Sequence, residues 1–196
     1  MRKKLLYNKP VKALLRLFFG LFYGRKYLRG YYFDTKRYGW VWALRGIKGR
    51  LAGDNRRIPW PVNPRTIISN AKNIHFHVDD IHVFQTPGCY WQNLAADIVV
   101  GRGCYVAPNV GIITTNHDVY DIQKHAEGKP VILGDYVWIG MNAVILPGVE
   151  LGPHTIVGAG SVVTRGFPQG YCVVGGNPAK VIKELDKSRF ANTTEN

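Results

Sequence analysis

His117 lies in the stretch GIITTNHDVYD, residues 111–121. Imidazole has an ordinary pKa of about 6.5, so near neutral pH a bare ring nitrogen is available to take a proton. A base of this kind can deprotonate a hydroxyl, which is a poor nucleophile while it keeps its proton. The base needs a partner on its second ring nitrogen. Asp118 and Asp121 are near enough along the chain to serve, and a backbone carbonyl would serve equally well. His125 lies in the same stretch of chain and is the reserve candidate. An isolated histidine would read as a polar loop residue, so the surrounding pattern has to decide.

The other chemistry-bearing residues point elsewhere. His75, His77 and His82 of IHFHVDDIH include an H-x-H pair on one strand face, with Asp79 nearby. No further ligand closes that set, so no metal is expected. His154 falls at a turn. Cys89, Cys104 and Cys172 cannot all pair and show no C-x-x-C spacing, which reads as free thiols in a reducing compartment.

The elements that must position His117 are written in sixes. Leu133, Ile139, Ile145, Leu151, Val157 and Val163 are six apart. The residues after them are Gly134, Gly140, Leu146, Gly152, Gly158 and Thr164. Val137, Ala143, Val149, Thr155 and Ser161, all small or β-branched, sit four places on. Val100, Val106 and Ile112 keep the spacing before the His117 stretch interrupts it, and Val62, Ile68 and Ile74 keep it further back. A period of six is neither helix nor simple alternation. It fits short strands joined by tight turns and wound into a coil, one aliphatic per strand pointing inward onto the aliphatic one coil below. Glycine relieves crowding where the chain turns.

The chain has 196 residues and a formal net charge of +13. Of 26 Lys and Arg, 14 lie in residues 1–50 beside one acid, Asp34; the other 12 are matched by 12 Asp and Glu. All the excess charge therefore belongs to an N-terminal segment attached to an electrically neutral body. Three spans follow: a basic amphipathic segment, 1–55; the coil, 56–185; and a tail, 186–196. Pro10 suits the first turn of a helix. Val11, Leu14, Leu15, Phe18, Phe19 and Phe22 then recur at helical spacing, among Lys4, Lys9, Lys12, Arg16, Arg25, Lys26 and Arg29. Arg16 breaks the apolar run and no small-x-small site follows, which argues against a signal peptide. The run is also too short and too charged to span a bilayer, which takes about 20 apolar residues. A basic amphipathic helix in residues 1–30 suits an anionic membrane surface. The same helix could instead pack on its own domain or on a neighbouring subunit. Nucleic acid is not expected as a partner, because the rest of the chain offers no basic groove or binding motif.

Residues 129–183, KPVILGDYVWIGMNAVILPGVELGPHTIVGAGSVVTRGFPQGYCVVGGNPAKVIK, resemble the C-terminal half of hexapeptide-repeat acyltransferases. These include galactoside, maltose, serine and xenobiotic acetyltransferases and O-acetyltransferases of surface polysaccharides. VWIG, ILPGV, GAGSVVT and GNPAKVI carry the likeness, and GCYWQ, APNV and TTNHD extend it over about residues 60–185. The resemblance implies a mainly β fold, a left-handed parallel β-helix; the basic helical segment before it lies outside the likeness, and a short C-terminal helix is expected after it. It implies a homotrimer with sites in the clefts between subunits, acetyl-CoA as acyl donor, and His117 as general base with Asp118 beside it. On the donor side it points to Trp138, Gly140, Ala159, Thr164, Arg165, Lys180 and Lys183. Gln92 and Asn109 fall on the acceptor side. Met141 stands where the family usually has a small residue. Lys180 and Lys183 also read simply as a solvated coil end that starts a helix.

The reading that follows is acetyl-CoA-dependent O-acetylation of a sugar hydroxyl of a bacterial surface-polysaccharide precursor, in the cytoplasm or at the inner face of the cell membrane. Two alternatives stay open: a small soluble acceptor such as a xenobiotic or serine, and a non-catalytic β-helix that binds or assembles.

Overall fold

The structure is a computed structural model that describes residues 8–53 and 55–190. Lys4 of the expected basic helix lies outside the described residues, as does the end of the C-terminal tail.

Among the described residues three α-helices come first: α1 (Lys9–Phe19), a single turn α2 (Tyr31–Asp34) and α3 (Tyr38–Leu51). Pro10 occupies the first turn of α1, where its missing N–H costs no helical bond. Fourteen short strands follow, and thirteen of them form a coil with three faces. Face A holds β1 (Ile67–Ile68), β3 (Tyr90–Gln92), β6 (Gly111–Ile113), β9 (Val144–Ile145) and β12 (Val162–Val163). Face B holds β2 (Ile74–His75), β4 (Ile98–Val100), β7 (Val131–Leu133) and β10 (Glu150–Leu151). Face C holds β5 (Tyr105–Val106), β8 (Trp138–Ile139), β11 (Ile156–Val157) and β13 (Cys172–Gly176), with β14 (Ala179–Glu184) at its edge. From β3 to β12 the chain visits the faces in the order A, B, C; between β12 and β13 face B is represented by Phe167, bridged to Leu151. Every pairing is parallel except the β13–β14 hairpin. This is the parallel β-helix that the six-residue period predicts.

The period becomes columns because three sixes make one coil, so inward residues about eighteen apart stack, or thirty-three apart across the coil into which the His117 loop is inserted. Ile112 pairs with Ile145 and Ile145 with Val163 on face A. Val106, Ile139, Val157 and Val174 stack on face C, and Val100, Leu133 and Leu151 on face B. All are buried. Burying an aliphatic side chain of this size contributes on the order of 1.5–3 kcal/mol, so the columns supply most of the driving force. The glycines that follow have a specific reason. A Cβ on Gly140 would sit 2.6 Å from the backbone nitrogen of Ala159, and one on Gly152 would sit 2.2 Å from the carbonyl oxygen of Pro168. Each leaves room for the backbone of the next coil.

The N-terminal helices close onto this coil, and the buried apolar residues from Phe19 to Ala179 form one contiguous core. Phe19 stacks on Trp40, and Tyr23 donates its hydroxyl to the Ala43 carbonyl. Trp60, Phe76, Phe84 and Trp91 pack ring against ring in the first coils. Asp79 accepts the Tyr31 amide, and Asp80 pairs with Arg102, tying helices to coil.

Two details depart from expectation. Helical spacing places Leu14 and Phe18 on one apolar face with Leu15, Phe19 and Phe22. The structure buries Phe19, half-buries Leu15 and Phe22, and leaves Leu14 and Phe18 exposed. The reason is that Lys12 and Arg16 turn toward the protein, where Lys12 donates to the Asp34 carbonyl and Arg16 to Leu28 and the Asp34 carboxylate. At the other end, Lys180 and Lys183 do not start a helix. They lie on β14, held by its ladder to β13, and the helix beyond is one 3-10 turn, Lys187–Phe190.

Candidate active site

His117 stands on a loop that leaves face A after β6 and returns to face B at β7. The root of this loop is clamped by Gln92 of the preceding coil. The Gln92 side-chain oxygen accepts the amides of Thr114 (3.0 Å) and Thr115 (3.2 Å), and its nitrogen donates to the Thr115 carbonyl (3.1 Å). Thr114 and Thr115 are buried, so these backbone groups have little water to turn to. The Thr115 hydroxyl then ties the outgoing strand to the returning one at Ala126. Gln92 therefore holds the root of the loop that carries His117.

Beyond the root the loop folds back on itself. His117 and His125 sit opposite one another, flanked by Asp118 N–H to the Lys124 carbonyl and Ala126 N–H to the Asn116 carbonyl, each 2.9 Å. Their rings lie 4.5 Å apart. His117 Nδ1 is 2.8 Å from the Ile122 carbonyl oxygen. A carbonyl can only accept, so this contact puts the ring proton on Nδ1 and leaves Nε2 bare. Asp118 is not the orienting group expected. Its carboxylate accepts the amides of Tyr120 (2.8 Å) and Asp121 (3.1 Å) and so builds the turn. Asp121 accepts the Gln123 amide and pairs with Lys124. His117 is exposed, and Val119, Tyr120 and Ile122 at the loop tip are more than two-thirds exposed.

The remaining site residues fall on different edges of the coil. Thr164 and Arg165 lie on the A–B edge, as the His117 loop does. Both are exposed, and Arg165 lies over the Phe167 ring beside a hollow of about 310 Å³. Asn109, Gly140 and Ala159 lie on the C–A edge. Asn109 adopts a left-handed backbone (φ 59°). Trp138 projects from face C and is 52% exposed, and Lys180 and Lys183 are exposed on β14 at the border of that face. One chain therefore places His117 on the same edge as Thr164 and Arg165, and Gly140, Ala159 and Asn109 on another. It does not bring the two sets together.

The other titratable groups belong to the framework. Burial pushes the Cys104 thiol up to about 12 and raises Cys89 and Cys172, so none is primed as a thiolate. His82 is lowered by burial. Its Nε2 meets the Cys104 carbonyl at 2.9 Å, and its buried Nδ1 has no partner. The H-x-H pair is divided: His75 contacts Asp97 (3.1 Å) and His77 contacts Asp79. Among the described residues no group of three or more His, Cys, Asp or Glu could hold a metal.

Residues 130–165, which are strands β7 to β12, match the family model of the bacterial transferase hexapeptide (six repeats). The chain is 38% identical over 92 residues to the galactoside O-acetyltransferase of Escherichia coli K12, covering 45% of each chain. It is 37% identical over 97 residues to that of Lactococcus lactis, covering 48% of this chain and 46% of the relative. The chain spans about half the length of the curated relatives it matches. Among solved structures, an N-acyltransferase from Bacillus cereus, AntD, shares the fold with a TM-score of 0.52 at 17% identity, over 65% of this chain and 81% of that one.

Proposed function

We propose that the hexapeptide domain transfers an acetyl group from acetyl-CoA to a hydroxyl of a sugar or glycan, with His117 as general base. The observation that carries this reading is the His117 ring itself. It is held through Nδ1 by the Ile122 carbonyl, with Nε2 bare on an exposed loop. The sugar acceptor is supported by the names of the relatives, which are galactoside O-acetyltransferases.

The thioester supplies an activated acyl group. His117 Nε2 takes the hydroxyl proton as the sugar oxygen bonds to the acyl carbon, the carbon–sulfur bond breaks, and the proton passes to the departing thiolate. Backbone N–H groups of the cleft would hold the developing oxyanion. Arg165, Lys180 and Lys183 provide positive charge for the phosphates of the donor. Trp138, Gly140, Ala159 and Thr164 would line its arm, and Asn109 would stand on the acceptor side.

The two half-sites on separate edges support a homotrimer in which the His117 edge of one copy faces the Gly140–Ala159 edge of the next. The exposed tip residues Val119, Tyr120 and Ile122 give that contact apolar surface. The basic segment places the enzyme on the cytoplasmic face of an anionic membrane, within reach of a lipid-linked glycan precursor. The test is thiol release from acetyl-CoA over a panel of sugars, lipid-linked sugars and small acceptors. One sugar acceptor should respond, and His117→Ala should lose about 10²–10⁴-fold in turnover. Unchanged turnover in His117→Ala would remove the base. Turnover only with serine-like or xenobiotic acceptors would replace the substrate class.

A further inference from the structure

Helix α1 is built with its charges inward and its apolar stripe outward. Pro10, Ala13, Leu14, Leu17 and Phe18 recur at three- and four-residue steps, and Leu21 continues the line in the turn that follows. All are exposed: Leu14 67%, Leu17 61%, Phe18 50% and Leu21 79%. The opposite side of the same helix carries Lys12 and Arg16, which bind the Asp34 carbonyl, the Leu28 carbonyl and the Asp34 carboxylate. Soluble helices place these two classes the other way round. Asp34, the one acid of residues 1–50, is consumed in holding this orientation, with its second oxygen on the Gly30 amide. Lys9, Arg25, Lys26 and Arg29 are left exposed along and beyond the stripe.

We propose that this stripe is a membrane-insertion face, with Leu14, Leu17, Phe18 and Leu21 entering the outer layer of an anionic bilayer while the exposed cations rest on its headgroups. The choice of partner rests on charge. A second copy docked stripe to stripe would oppose two cationic rims, whereas an anionic lipid surface attracts both. Among the described residues no helix is long and apolar enough to cross a membrane, so the helix would lie in the interface. The inference extends the membrane clause of the proposed function and rests on that clause, not on acetyl transfer. It also orients the molecule, because Phe19 on the buried side of α1 is fixed to Trp40 of α3 and through it to the coil.

The experiment is co-sedimentation of the full chain with vesicles of phosphatidylcholine alone or mixed in equal parts with phosphatidylglycerol. Wild type should bind the mixed vesicles. Leu17→Gln with Leu21→Gln should weaken partitioning by about tenfold or more without disturbing the fold, since both side chains are exposed. Lys26→Gln with Arg29→Gln should weaken it and reduce the preference for phosphatidylglycerol. Failure of wild type to bind, or undiminished binding by the leucine variant, overturns the proposal. So does self-association that the leucine variant abolishes in the absence of lipid binding, which would give the stripe to a second copy. Thiol release measured on the same proteins separates the two readings. Vesicle binding without acetyl transfer upholds the membrane face and sinks the enzymatic reading, and transfer without vesicle binding does the reverse.

Discussion

Replacing Gln92 by Ala should free the His117 loop without touching His117. In the structure the Gln92 amide is a three-point clamp on Thr114 and Thr115. Thr114 N–H keeps a second acceptor, the Gln92 backbone carbonyl at 3.0 Å, so its loss is small. Thr115 loses the partner of both its N–H and its C=O. Each buried group left without a partner costs about 1–3 kcal/mol, and water entering the exposed side of the loop returns part of it. The net is about 2–4 kcal/mol against the closed loop, or roughly 30- to 900-fold in its opening equilibrium. The reporter is the Ala126 amide, which bonds to the Asn116 carbonyl inside the loop and is not itself a partner of Gln92. Its hydrogen exchange should speed by that factor, and turnover should fall with it, because His117 is held to Ile122 only while the loop is folded. Gln92→Glu should do no better at neutral pH. It keeps an acceptor for the Thr115 amide but sets an oxygen against the Thr115 carbonyl that Nε2 now serves. Unchanged Ala126 exchange in Gln92→Ala, with normal turnover, would refute the clamp.

Three further outcomes follow from the same structure. Gly152→Ala forces a Cβ to 2.2 Å from the Pro168 carbonyl oxygen, so the coils must part, and a loss of at least about 1–3 kcal/mol should appear in urea denaturation. His82 is held below its ordinary range by burial, so the unfolded chain binds the extra proton. Its contribution to stability is therefore present above about pH 6.5 and is lost as the pH falls below that; the urea midpoint should drop with acidification, and His82→Gln should flatten the slope. Lys180→Ala with Lys183→Ala should raise KM for acetyl-CoA about tenfold with kcat little changed and the melting temperature intact, because both side chains are exposed on β14.

The coil was legible in the sequence because its physics is local and repeated. An inward aliphatic every six residues with a glycine after it leaves one solution, and Ile139 and Val157 stack as the spacing requires. His117 was legible for a related reason, since it stands where that rhythm stops. What surrounds it was not. The group that orients its ring is the carbonyl of Ile122, and a backbone oxygen has no letter in the sequence. Asp118, the nearer and more suggestive residue, is taken by the turn that makes Ile122 available. That Gln92 clamps the loop shows only once β3 and β6 pair and bring it over Thr115, twenty-three positions away. In α1 the sequence by itself determined that the helix has two faces, since residue identity and a period of 3.6 are enough for that. Which face points inward was decided only by the tertiary structure. It depends on where the Leu28 and Asp34 carbonyls and the Asp34 carboxylate come to rest, and those acceptors satisfy Lys12 and Arg16 strongly enough to leave leucine and phenylalanine in the open.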